Sequence, residues 1–194
     1  MTRHSCEATL LELIKLDTTI KLDIRYARSD NFVGRPVYED ARAFLQKNAA
    51  EALIRVHQGL GKEGFGIVIY DGYRPWSVTK LFWEVVEEHQ KPFVADPKEG
   101  SRHNRGCAVD LSLFHLNTGI QANMPSDFDE FNEKASPQYK GGTELETSNR
   151  DLLRASMEAE CFSVNPKEWW HFDYKDWEKY EISDIPFGEI DLGS

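Results

Sequence analysis

The 194-residue chain carries 33 Asp and Glu against 23 Lys and Arg, a net charge of −10, with no cluster of basic residues. That balance argues against nucleic acid or an anionic membrane surface as a partner. The opening stretch MTRHSCEATLLELIKLD has no apolar run long enough for an export signal or a membrane span.

The length suits one domain with a full core, and no internal repeat divides it. The expectation is a single domain over 1–194, with residues 1–8 loose. Cys6, Cys107 and Cys161 are an odd set without metal-knuckle spacing, which fits free thiols in a reducing, cytoplasmic setting.

In chain order, Leu10 to Leu16 is too short and mixed to choose between helix and strand. From Ile20 to Tyr26, apolar residues alternate with Lys21, Asp23 and Arg25, the period of a half-buried strand. SDNFVGRPVY, Ser29 to Tyr38, has the Asp-Asn, Gly and Pro chemistry of a structured loop, and its aromatic ends can line a pocket. Phe44, Leu45, Ala49, Ala52, Leu53, Val56 and Leu60 recur at helical spacing and predict a helix from about Asp40 to Gln58, stopped by Gly59 and Gly61.

Phe65 to Tyr70 is an apolar run that predicts a strand buried on both faces. It leads into Asp71-Gly72-Tyr73-Arg74-Pro75, and Ser77 is expected to cap a second helix whose buried face is Val78, Leu81, Phe82, Val85 and Val86. Arg74 thus falls where a core strand meets a helix, a rigid place for a functional side chain. Cys107 to Leu113 reads as a strand, Asn117-Thr118-Gly119 as a hairpin turn, and Met124 to Lys140 as a long polar loop around Phe128-Asp129. Asn149 is expected to cap a helix through Glu160. Pro166 then breaks the chain before a strand over Trp169 to Tyr174, on which His171 and Asp173 share a face. The tail, DWEKYEISDIPFGEI, is expected to pack over the outside. Strands and helices alternate without regular βαβ spacing, so the fold class is α+β: a mostly antiparallel sheet with helices packed on it.

The chemistry concentrates in SRHNRGCAVD, Ser101 to Asp110, and in EWWH, Glu168 to His171. His103 and Asp110 look like half of a metal site, and the second segment offers a third ligand and a spare carboxylate. Two His and one Asp suit a catalytic zinc, because a structural zinc is closed by four protein ligands whereas a hydrolytic one keeps a position free for water. His103 and Asp110 are seven positions apart, so a flat strand would aim them at opposite faces. Asn104-Arg105-Gly106 supplies the turn that re-aims one of them. Glu168 and His171 also differ by an odd number, and the backbone between them must bend. Taken alone, His103 with Asp110 is equally well a hydrogen-bonded loop pair; the second segment favours the metal. His4, His57, His89 and His115 have no ligand partners at recognisable spacing.

SRHNRGCAVD, EWWH, DGYRPW and NFVGRPVY together resemble the VanX-type D-alanyl-D-alanine dipeptidases of the zinc D-Ala metallopeptidase group. The group's SxHxxGxAxD and ExWH motifs are matched by Ser101, His103, Gly106, Ala108, Asp110, Glu168, Trp170 and His171. The resemblance implies the zinc D-Ala peptidase and hedgehog-like fold, and hydrolysis of free D-Ala-D-Ala to two D-alanines in cell-wall precursor turnover or glycopeptide resistance. It implies one Zn2+ per chain on His103, Asp110 and His171, Glu168 as catalytic base, and Arg74 beside the scissile carbonyl. Asp129 would bind the substrate ammonium, with Ser101 and Tyr26 as further contacts. One departure is EDAR after GRPVY, where the pattern has a glycine and a second tyrosine; Tyr38 lies close enough to substitute. Two rivals share the metal chemistry or the fold: a peptidoglycan D,D-carboxypeptidase or endopeptidase, and a non-catalytic zinc-binding interaction module that would need neither Glu168 nor Arg74.

Overall fold

The computed structural model describes residues 8–190; His4, Cys6 and nearly all of the stretch expected to be loose lie outside them. The ambiguous N-terminal stretch holds both kinds of element: a strand, β1 (Leu10–Glu12), runs directly into a single helical turn, α1 (Leu13–Leu16). The strand expected over Ile20 to Tyr26 shortens to β2 (Lys21–Leu22), and the chain turns over at Arg25–Ala27. The alternation still describes burial, with Ile20, Ile24 and Tyr26 inside and Lys21 outside. Its cause changes at Asp23, whose N–H makes the final bond to the sheet at Ile69 O (2.8 Å). Beyond it, the Tyr26 carbonyl accepts from the N–H groups of Val37 and Tyr38, folding the NFVGRPVY loop back on the turn.

Phe44 and Leu45, assigned by spacing to a helix, instead form β3 (Phe44–Gln46), which pairs antiparallel with β1. All three β3 residues are buried, so no polar face marks the strand period. The helix, α2 (Lys47–Lys62), starts later and runs through Gly59 and Gly61. It stops before Gly64, whose φ of 83° no helix accommodates. Next come β4 (Phe65–Asp71), α3 (Trp76–Val85) and β5 (Ala108–His115). Pro75, not Ser77, precedes the first turn of α3, and the Ser77 N–H is taken by Asp184 from the tail (2.7 Å). The buried face of α3 is narrower than expected: Thr79 and Phe82 are buried within it, whereas Val85 is exposed.

The last helix, α4 (Glu144–Ala159), begins before the position read from Asn149. Thr143 and Glu146 form a capping box, and Asn149 lies inside the helix, donating to Asn123 O (3.0 Å). A hairpin of β6 (Phe162–Asn165) and β7 (Glu168–Tyr174) completes the elements. The five-stranded sheet has the order β2-β4-β5-β7-β6, with β2 parallel to β4 and the other pairs antiparallel. The tail is part of the body: Tyr180, Phe187 and Ile190 are buried, and Ser183 bridges the start of α3 and the Asn104 carbonyl.

Two breaks in register shape one end of the sheet. Between β4 and β5 the pairing slips at Tyr70, setting Asp71 opposite Asp110. Between β6 and β7 it slips after Val164, so that Asn165 faces Glu168 while Val164 faces Phe172. That bulge is the bend that an odd Glu168–His171 separation requires.

Candidate metal centre

Asp110 and His171 are directly paired across β5 and β7. His103 joins them from a short turn, His103–Arg105, that ends at Gly106 with φ 67°. A side chain at Gly106 would be strained at that φ, and its Cβ would lie 2.6 Å from Leu10 Cδ2. The glycine is therefore what lets the chain swing from His103 into β5 with the His103 and Asp110 side chains both facing inward.

Each histidine has one ring nitrogen fixed by a partner behind it. His103 Nδ1 donates to the Gly72 carbonyl (2.6 Å) and His171 Nε2 donates to Asp173 Oδ1 (2.9 Å). These bonds select tautomers whose remaining nitrogens carry lone pairs. Those lone pairs, His103 Nε2 and His171 Nδ1, face each other at 3.2 Å. Asp110 Oδ2 lies 3.4 Å from the first and Oδ1 3.1 Å from the second, and the buried Oδ1 has no hydrogen-bond partner. Two lone pairs and an anionic oxygen converging on one point repel unless a cation sits between them. The three ligand atoms lie within 4.8 Å of one another, so the set fits zinc with one coordination position left for water.

A cavity of about 400 Å³ opens over this cluster, lined among others by Tyr26, Arg74, Ser101, Asp129 and Glu168. Glu168 is buried, its Oε2 3.8 Å from His171 Nδ1 and accepting from Asn165 Nδ2 (2.9 Å). Burial pushes its carboxyl up to about 7. Arg74 is also buried and held as a rigid fork: Nε and Nη2 reach Asp71 Oδ2 at 2.9 and 2.7 Å, and the guanidinium packs on the rings of Phe82 (4.8 Å) and Tyr26 (5.5 Å). Asp129 adopts φ 59° and accepts from the Tyr26 hydroxyl (2.9 Å). Burial, with Asp110 nearby, holds the Asp129 carboxyl well above the usual range, and no Lys or Arg pairs with it among the described residues. Ser101 Oγ accepts from the His103 N–H (3.2 Å), so its own proton is free to face the cavity.

Tyr38 is the one expected substrate contact that the structure places elsewhere. It does not line the cavity; its hydroxyl donates to Asp71 Oδ1 (2.8 Å), behind Arg74. Three supporting residues have no assignment from the sequence. Asp71 fixes Arg74, Asn165 holds Glu168 across the bulge, and Asp173 orients His171. Only Asp173 has a visible sign, the two-residue spacing that puts it on the face of His171.

A His-Asp-His set able to hold a metal, a neighbouring buried carboxyl and a fixed guanidinium in one cavity are the parts that a metallohydrolase centre needs. Residues 6–184 match the family model for peptidase M15, D-Ala-D-Ala dipeptidase, and the chain belongs to that family of zinc metallopeptidases. Among curated relatives it is similar to the D-alanyl-D-alanine dipeptidase of Escherichia coli (strain K12), at 33% identity over 84% of this chain and 83% of the relative. It is 34% identical to that of Enterococcus faecalis (strain ATCC 700802 / V583), over 79% of this chain and 85% of the relative. To that of Enterococcus faecium it is 33% identical, over 87% and 92%. Among solved structures, the LdcB LD-carboxypeptidase aligns with a TM-score of 0.47 at 20% identity, over 76% of this chain and 70% of that one. Among the described residues no helix is long and apolar enough to cross a membrane.

Proposed function

We propose that this protein hydrolyses the free dipeptide D-Ala-D-Ala to two D-alanines, with one zinc ion per chain held by His103, Asp110 and His171. The observation that carries this reading is Asp129, a half-buried carboxyl that no Lys or Arg side chain ion-pairs among the described residues and that shares a cavity with His103, Asp110, His171 and Glu168. A free dipeptide is a zwitterion, and its ammonium supplies the missing charge; an acylated amino terminus does not.

When bound, zinc supplies a Lewis acid that polarises the peptide carbonyl and acidifies water at neutral pH. Glu168 takes the proton from the attacking water and returns it to the departing amine, which leaves far more readily neutral than as an anion. Its raised carboxyl is poised for both transfers. Arg74, fixed by Asp71, stabilises the charge that develops on the carbonyl oxygen. Asp129 and Tyr26 hold the ammonium, and the Ser101 hydroxyl donates to the substrate. Both Glu168 and Arg74 face the same cavity as the ligands, which a purely structural zinc module would not need.

The test is D-alanine release from D-Ala-D-Ala by zinc-loaded protein, beside Glu168→Gln and beside the N-acetylated dipeptide. Release should fall by roughly 10²–10⁴ in the variant with bound zinc unchanged, and the acetylated substrate should stay intact. Comparable cleavage of the acetylated dipeptide would instead favour a carboxypeptidase.

A further inference from the structure

A dipeptide brings a carboxylate as well as an ammonium, and three cations line the cavity: Arg74, Arg102 and Lys167. Two of them are committed. Arg74 is bound to Asp71, and Lys167 Nζ donates to the Pro92 carbonyl (2.7 Å), tying the β6–β7 hairpin to the loop after α3. Arg102 is different. Its guanidinium makes no hydrogen bond among the described residues; it lies 4.6 Å from the ring of Trp177, and Nε stands 3.5 Å from Asp173 Oδ2.

Resting on the dipeptidase reading, we propose that Arg102 binds the C-terminal carboxylate of the substrate and selects for a free carboxyl terminus. The topology puts it on the correct side. Tyr26 and Asp129 reach the centre from the β2–β4 flank, next to Arg74. Arg102 approaches from the β7 flank, beside Asp173, which lies two residues beyond His171. The metal ligands on β5 and β7 lie between the two. A substrate with its ammonium at Asp129 and its scissile carbonyl over the ligands directs its carboxylate to the far flank.

Trp177 and Asp173 hold the guanidinium in place, and among the described residues neither Nη makes a hydrogen bond, leaving the edge that binds a carboxylate through two parallel bonds. Asp173 also offsets the charge of Arg102 when the cavity is empty. Extending the peptide beyond its second residue replaces that carboxylate with a neutral amide, for which a guanidinium offers less.

The experiment compares D-Ala-D-Ala with its C-terminal amide, using zinc-loaded wild type, Arg102→Ala and Arg102→Lys. Arg102→Ala should raise KM for the acid roughly 10–100-fold, with the loss falling on KM and not kcat. The amide should be a poor substrate that the substitution leaves unaffected, and Arg102→Lys should recover part of the affinity for the acid. Zinc content is measured in each protein, and calorimetry on Glu168→Gln with and without Arg102→Ala gives dipeptide affinity independent of turnover. An equal loss on acid and amide, or a fall in kcat or zinc content, would show that Arg102 acts through Asp173 and His171 and would overturn the proposal. Wild-type protein that releases no D-alanine would refute the dipeptidase reading itself. Even then, dipeptide affinity indifferent to Arg102 would count against the role assigned to it.

Discussion

Tyr38 separates two accounts of one hydroxyl, and Tyr38→Phe decides between them. If the hydroxyl touched substrate, its removal would raise KM and leave stability alone. The structure assigns it to Asp71 Oδ1 at 2.8 Å, in a chain that continues through Asp71 Oδ2 to Arg74. Asp71 is 1% exposed, so water does not replace the lost donor; among the described residues the Gly72 N–H is the only other donor to Oδ1 (2.9 Å). A hydrogen bond to a charged group contributes about 1.5–3 kcal/mol. At roughly 2–4 °C per kcal/mol for a chain of this size, Tyr38→Phe should lower the Tm by about 3–12 °C. Scanning calorimetry of the zinc-loaded protein reads that shift, and steady-state D-alanine release reads KM, which should stay near the wild-type value. A Tm equal to wild type together with a raised KM would refute the assignment and return Tyr38 to the substrate.

Two further outcomes concern the supporting residues. Asp173→Ala removes the acceptor that fixes the His171 tautomer, so zinc affinity, measured by competition with a chromogenic chelator, should fall about 10–100-fold; unchanged affinity would mean that Asp173 does not orient the ligand. His57 is buried, accepting the Ile67 N–H at Nδ1 and bonding Thr19 Oγ1 through Nε2, and burial lowers its pKa. With the folded value below the unfolded value near 6.5, the unfolded chain binds the extra proton first. Stability should therefore decline as pH falls below about 6.5, and urea unfolding of His57→Gln should lack that part of the decline. An identical pH slope in the variant would remove His57 as its source.

Legibility depends on the range of the interaction that fixes each feature. The clustering of His103 and Asp110 can be read because their spacing carries its own geometric problem. Seven residues between His103 and Asp110 demand a turn, and Gly106 is the residue that permits it. The apolar run of β4 is equally plain, since a strand buried on both faces has no alternative to an unbroken hydrophobic stretch. β3 is hidden for the opposite reason: Phe44 and Leu45 are buried beside an amphipathic helix, and nothing in three residues distinguishes the end of one period from the start of the next. The start of α4 is obscured by local chemistry, because Asn149 has the side chain of a cap while the Thr143–Glu146 pair, one turn and a half earlier, satisfies the capping box.

Apart from Asp173, the support behind the site cannot be read, and the reason is physical. Tyr38 to Asp71 spans 33 positions, Tyr26 to Asp129 spans 103, and His103 to Gly72 spans 31. Each bond exists only because separate elements converge on one end of the sheet. The Tyr38 hydroxyl bonds the carboxylate that immobilises Arg74 instead of entering the cavity, a distinction of one side-chain direction that no motif encodes. Such contacts matter because a guanidinium helps a developing charge only if it is already in place. Holding Arg74 between Asp71 and two aromatic rings means that substrate binding need not order it. Arg102, more exposed and with a guanidinium that makes no hydrogen bond among the described residues, is suited instead to recognising a group that arrives and leaves with each turnover.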